Sequence, residues 1–231
     1  MDEDQLHHEV LELIKNKASL KRDVFELTTQ KFGMLKASLS ELTATWKDNV
    51  AEFDPRLEVA YKDLGTYFCE QTIAGDTLMY SMHTNVFKFA ENSIYWKSGY
   101  LQDDPRRGFC GVINVYNFLA DSLRFKRQND VGYLVARIFI NHENHFFVEG
   151  KKQLGYLFND FVNSEFSAEC VRKILVSITK YTLEFDLFTP DYKSVQEVSL
   201  FEIESQKDMI SLRTGKRLGF QMSSDAEPLI D

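Results

Sequence analysis

Cysteine is scarce in this chain. Cys69, Cys110 and Cys170 are odd in number, far apart and without a C-x-x-C spacing. No disulfide framework is expected, only reduced, buried thiols in a cytoplasmic protein. Four prolines and eleven glycines in 231 residues argue against long disordered linkers. No run approaches the roughly 20 apolar residues of a membrane span, so no membrane contact is expected. The opening MDEDQLHHEV is acidic where a secretory leader is basic, and no leader is expected either. Neither a G-x-S-x-G elbow nor a Walker loop is present. Positive charge is also in deficit. A formal charge of −8 repels polyanions, which makes nucleic acid an unfavourable partner.

What the chain does have is apolar bulk. Hydrophobic residues make up 44%, with nineteen Phe and ten Tyr, enough to fill a large aromatic core. Before Pro55 the spacing is helical. Leu6, Val10, Leu13, Leu20, Val24, Leu27 and Met34 fall on steps of three and four, with Lys17 and Lys31 interrupting. After Leu27 the stripe slips by one residue and continues through Leu35, Leu39, Leu42, Trp46, Val50 and Phe53. Such a slip is a stutter, and the whole predicts one helix from about Asp4 to about Glu52, with Gly33 as the place where it would break. This helix either lies on the chain's own sheet or pairs between chains as a coiled coil.

From Leu57 the rhythm changes to period two. Segments LEVAYKD, TYFCEQTIAGD and TLMYSMHTNVFKF, separated by turn signals, predict an antiparallel meander, although the first also fits a helix. GFCGVINVYNFLADSLRFKR returns to helical spacing at Ile113, Tyr116, Phe118/Leu119 and Leu123. GYLVARIFIN and HFFVEGK are two strands of a hairpin. SAECVRKILVSITKYTLEF is a second amphipathic helix with Ser167 as its N-cap, and SVQEVSLFEIE is a late strand. The expected architecture is α+β: a largely antiparallel sheet with helices packed on one face, preceded by a long N-terminal helix. Residues 1–54 form the helix and candidate dimerisation segment, 55–205 the α+β domain, and 206–231 a C-terminal extension with a polar end.

Three stretches carry chemistry. The first is VEGK, where Glu149 and Lys151, with an upstream Asp121 or Asp130, would suit a metal-dependent nuclease or hydrolase. The hairpin register bears on this. A loop of His142, Glu143 and Asn144, with Asn144 left-handed, pairs Phe139 with Phe147 and Arg137 with Glu149. It also gathers Leu134, Ala136, Ile138, Ile140, Phe146, Val148 and Gly150 on one apolar face, which a one-residue slip would destroy. Glu149 then answers an arginine rather than a second carboxylate. The second is the other face of this hairpin, with Tyr133, Arg137, His145 and Glu149 as ligand-binding candidates among Phe139 and Phe147. The third is DDPRRGFCG. If Gly108 to Gly111 open a helix, Arg106 and Arg107 would hold an anion there, and Cys110 would be a thiol of lowered pKa. Five cations stand against Asp121 alone between Pro105 and Gln128.

The function expected from these residues is that of a non-enzymatic cytoplasmic interaction protein. It would self-associate through its N-terminal helix as a homo-oligomer, the simplest being a homodimer, and bind a protein or a small anionic ligand, with no cofactor and no metal. The alternatives are the hydrolase at Glu149 and Lys151 and a sensor of phosphorylated small molecules at Arg106 and Arg107.

Overall fold

The proline-free N-terminal fifty residues form one continuous helical rod. In the computed structural model, which describes residues 2–151, 153–186, 189, 191–201 and 203–204, α1 (Glu3–Leu13) passes through a π-turn at Ile14–Ala18 into α2 (Ser19–Phe53). Gly33 does not interrupt it. Asp54 ends it in an extended conformation, as the following proline requires. The buried stripe of α2 runs through Val24, Thr28, Phe32, Leu35, Leu39 and Leu42, with Thr28 in the place the spacing assigned to Leu27. This stripe lies on the chain's own sheet and on α6 (Ala168–Leu183). From Val24 onward, then, the helix belongs to the core of the α+β domain.

The sheet has seven antiparallel strands. β1 (Val59–Asp63), β2 (Phe68–Ile73) and β3 (Asp76–Met82) form the expected meander, so the ambiguous LEVAYKD segment is a strand. Gly65, at φ +105°, turns the chain between β1 and β2, a conformation open to glycine without strain. The order across the sheet is β1-β2-β3-β5-β6-β7, with a two-residue β4 (Phe87–Lys88) pairing with the start of β5. β5 (Phe109–Leu119), β6 (Tyr133–Asn141) and β7 (Phe146–Gly150) complete it. α5 (Gln153–Leu157) follows β7, whose outer edge is not free. Phe146 N donates to Ser164 O at 3.0 Å, Val148 N to Phe158 O at 2.8 Å, and His145 forms a bridge with Glu165.

Both long helices cover one face of the sheet. A buried network ties them to it: Gln71 on β2 donates Nε2–H to Thr43 Oγ1 of α2 at 2.8 Å and accepts from Thr179 Oγ1 of α6 at 3.2 Å. Ser167 caps α6 as expected, its Oγ accepting from Cys170 N. The β5–β7 half of the other face is covered by the excursion between β3 and β5, which contains β4, two 3-10 turns (Ile94–Lys97 and Pro105–Gly108) and α3 (Gly99–Asp103).

Two expected elements are replaced. GFCGVINVYNFL is the central strand β5, and only Ala120–Arg124 (α4) is helical. Residues Phe109 to Ile113 and Val115 are buried because helix packs on one face of this strand and the aromatic excursion on the other. A strand covered on both faces reads as a continuous apolar run rather than an alternation. Gly111, expected at a helix start, lies under α2, where a Cβ would stand 2.0 Å from Thr28 Oγ1. The late strand is helical: α7 (Tyr192–Val195) is followed by a turn in which Ile203 N donates to Ser199 O at 3.1 Å. The extension at 206–231 lies outside the described residues.

Candidate ligand groove on the outer sheet face

The hairpin register is the one expected. Arg137 faces Glu149, Phe139 faces Phe147, and Asn144 is left-handed at φ 65°. Asn141 Oδ1 accepts from both Glu143 N and His145 N at 3.0 Å and so holds the turn. Beyond Ala136 the expectation breaks down. A β-bulge leaves Val135 without a partner on β5, since Val115 faces Ala136 and Tyr116 faces Leu134. The extra residue inverts the alternation. Tyr133 therefore lies on the helix-covered face, its hydroxyl accepting from Asn117 Nδ2 at 2.8 Å and its ring packing on Phe185, and is not beside Arg137. Leu134, expected in the core, is turned to the outer face instead.

On that outer face lies a groove of about 550 Å³. Val112, Asn114 and Tyr116 of β5, Leu134, Arg137 and Phe139 of β6, and Glu149 form its floor. His83, Phe87, Lys88, Phe89, Ser93 and Tyr95 of the excursion form its wall. Aromatic packing closes its inner end: Phe89 lies 6.0 Å from Phe139 and 5.9 Å from Phe147, and Tyr95 lies 4.5 Å from Phe147. Burial, and after it the nearby Glu149 carboxylate, push the Tyr95 hydroxyl up to about 12, so it is a neutral donor at ordinary pH.

Its charged groups differ in what they are free to do. Arg137 Nε donates to Glu149 Oε2 at 2.8 Å, and the guanidinium rests 5.4 Å from the centre of the Phe139 ring. Lys88 forms no ion pair with any described carboxylate. Its ammonium leans instead on Trp96, 5.3 Å from the ring centre, and on Phe109 at 6.0 Å. His83 Nδ1 accepts from Asn85 N, and Ser93 Oγ accepts from Tyr95 N, so neither pairs as base with nucleophile. The Asn114 amide, opposite Arg137 in register, makes no side-chain hydrogen bond to a described residue.

The remaining sequence candidates lie elsewhere. Asp121 pairs with Arg124 at 3.6 Å, and Asp130 accepts from Ser122 Oγ at 2.7 Å beside Arg127. Arg137 fills the position where a metal-sharing carboxylate would have to face Glu149, and Lys151 follows as an exposed residue just beyond β7. His145 is outside the groove and stacks on Tyr100 at 5.3 Å. The DDPRRGFCG turn opens a strand, not a helix, and its arginines are matched. Arg106 Nη2 donates to Asp104 at 2.8 Å. Arg107 forks onto Glu143 at 2.9 and 3.1 Å, over the Tyr100 ring, with a further bond to Tyr100 O. Asp104, His142 and Glu143 bring ligand atoms within 4.8 Å of one another, the one such trio among the described residues, but both carboxylates already serve these arginines. Cys110 is buried at the start of β5, and burial pushes its thiol up rather than down.

No family model, curated protein or solved structure matches the chain. The residues that sequence reasoning missed are the groove's β5 floor and its excursion wall. Val112, Asn114 and Tyr116 are spaced at period two, which is a strand signal.

Proposed function

We propose that the protein is a non-enzymatic binding protein that self-associates through its N-terminal helix and holds a small planar anion in the outer-face groove. One observation carries the ligand half. A cleft of about 550 Å³, within the usual range for small-molecule sites, combines aromatic walls with an ammonium, Lys88, that no described carboxylate neutralises. In an acidic protein an unmatched cation beside an arginine selects for negative charge, while Phe87, Tyr116 and Phe139 favour a flat apolar body. Arg137, held in place by Glu149, retains an Nη1 donor for the anion, and Asn114 offers an amide to a polar ring substituent. The sensor reading keeps its ligand chemistry but moves from Arg106 and Arg107 to this groove. We read the protein as cytoplasmic, which its three unpaired cysteines support.

The test is a thermal-shift screen of the full chain with inorganic phosphate, aromatic carboxylates and nucleoside monophosphates. It is paired with tryptophan fluorescence in a Trp46→Phe background, where Trp96 alone reports on Lys88. Saturating planar anions should raise Tm by about 5–10 °C at a hundredfold excess over Kd. They should also change Trp96 emission as the ammonium leaves the ring. Lys88→Ala and Arg137→Ala should each abolish the response. If no anion stabilises the protein, or if both variants respond like the wild type, the ligand reading is wrong.

A further inference from the structure

We infer that the arm formed by α1 and the π-turn pairs antiparallel with the same arm of a second copy; this rests on the self-association reading and adds its orientation. The arm carries an apolar stripe that no described residue of its own chain covers. Leu6, Val10, Leu13 and Ile14, at steps of four, three and one, occupy one side of the helix and are 41%, 51%, 59% and 55% exposed. No residue from Glu3 to Ala18 is buried, and the first that is buried is Val24. In a plain α-helix the eleven residues from Leu13 to Val24 would make three turns and align this stripe with the sheet-facing seam. The π-turn at Ile14–Ala18 inserts an extra residue and swings the arm's stripe about 100° away from that seam. The stripe is thus aimed off the domain.

Charge supplies the orientation. Residues 2–12 carry five carboxylates, Asp2, Glu3, Asp4, Glu9 and Glu12, and no lysine or arginine. Residues 15–22 carry Lys15, Lys17, Lys21 and Arg22 and no carboxylate. A parallel pair would set like charge against like along its whole length. An antiparallel pair with its two-fold axis at Glu12 sets Glu9 against Lys15 and Glu3 against Lys21, with Val10 meeting Ile14, while Arg22 keeps its own-chain pair with Glu26 at 2.6 Å. In that register the arms overlap up to residue 22, short of Val24, the first buried residue, so the two domains lie at opposite ends of the pair, each meeting the overlap where Lys21 lies 5.8 Å from the Phe109 ring. The arm from residue 3 to 19 is about 25 Å long. A contact of that length is small beside the roughly 1,200–2,000 Å² of a standard interface, so the dimer should be reversible and weakened by salt.

The experiment uses the full chain in a Cys170→Ser background, which leaves only the buried Cys69 and Cys110. Sedimentation equilibrium should show a concentration-dependent dimer, lost in a Leu6→Ser, Val10→Ser, Leu13→Ser variant whose domain unfolds like the wild type. Lys15→Glu with Lys21→Glu should weaken it about tenfold. Spin labels on Gln5→Cys should lie about 20–25 Å apart, and a label on Gln5→Cys in one copy should lie about 10 Å from a label on Ser19→Cys in the other. Gln5 labels at about 10 Å would mean a parallel pair and overturn the orientation while leaving self-association intact. A chain that stays monomeric at millimolar concentration, or a dimer that survives the triple serine variant, overturns both.

Discussion

Gly111→Ala places one methyl group where the structure has no room for it. The added carbon would stand 2.0 Å from Thr28 Oγ1 and 2.7 Å from Thr28 Cβ and Cγ2. Thr28 is buried, and its hydroxyl is held by a 2.6 Å bond to Val24 O, so rotating the side chain away forfeits that bond. The alternative is to lift α2 from β5, which α6 and the buried stripe from Phe32 to Leu42 resist. Overpacking of this severity falls at the upper end of the usual range, about 3 kcal/mol. Alanine recovers up to about 1 kcal/mol by restricting the unfolded chain. The net loss is about 2 kcal/mol, or about 4–8 °C in Tm for a domain of this size. Urea unfolding followed by circular dichroism should show a lower midpoint with an unchanged slope. Adding Thr28→Ala removes two of the three clashing atoms, so the double variant should be more stable than Gly111→Ala alone, with a coupling of about 1 kcal/mol or more. A Gly111→Ala protein as stable as the wild type, or strict additivity of the two changes, would refute the close-approach argument.

The other perturbations are smaller or act through polar groups. Glu149→Gln loosens a half-exposed cross-strand pair and should cost less than about 1 kcal/mol by thermal melt, because water solvates both partners. Thr43→Val strands the buried Gln71 amide and should cost about 1–3 kcal/mol by urea titration. Gln71→Leu should cost about as much, because Thr43 keeps its bond to Leu39 O at 2.7 Å but the buried Thr179 hydroxyl loses its acceptor on Gln71. The hydrogen bond from Arg106, partly opposed by burial, lowers the Asp104 carboxyl from 3.8 to about 2. A depressed folded-state pKa contributes stability above the unfolded value that is lost as pH falls through the folded one. Melting temperature should therefore drop between about pH 4 and pH 2, and Asp104→Asn should flatten that drop; equal slopes for both proteins would contradict it.

The hairpin was legible in the sequence because three independent demands agree on its register: a short turn, a left-handed Asn144 and an uninterrupted apolar face. The bulge at Val135 was not, because Val135 and Ala136 are both small apolar residues and nothing in their order signals an added residue. That one residue moved Tyr133 out of the candidate site and Leu134 into it. β5 was misread because Ile113, Tyr116 and Leu119 satisfy a helical period by coincidence, although Val112, Ile113 and Val115 are β-branched and favour a strand. Losing β5 meant losing three of the seven residues of the groove's floor. The N-terminal stripe was read as one seam. It is two, and the extra residue of the π-turn at Ile14–Ala18 separates the part that packs at home from the part that does not.

The hydrogen bonds along β7 have a consequence for how the domain can fail. With residues 158–165 already bonded to that edge, the five-residue β1 is the terminal strand of the main sheet order that no described strand covers. Docking edge to edge at β1 joins two copies, whereas a filament that grows through both ends of this strand order also needs the β7 edge. Peeling the 158–165 segment from Phe146 and Val148 would convert a terminator into a template while most of the core stayed folded. The onset of aggregation on heating should therefore follow the local release of that segment and precede global melting.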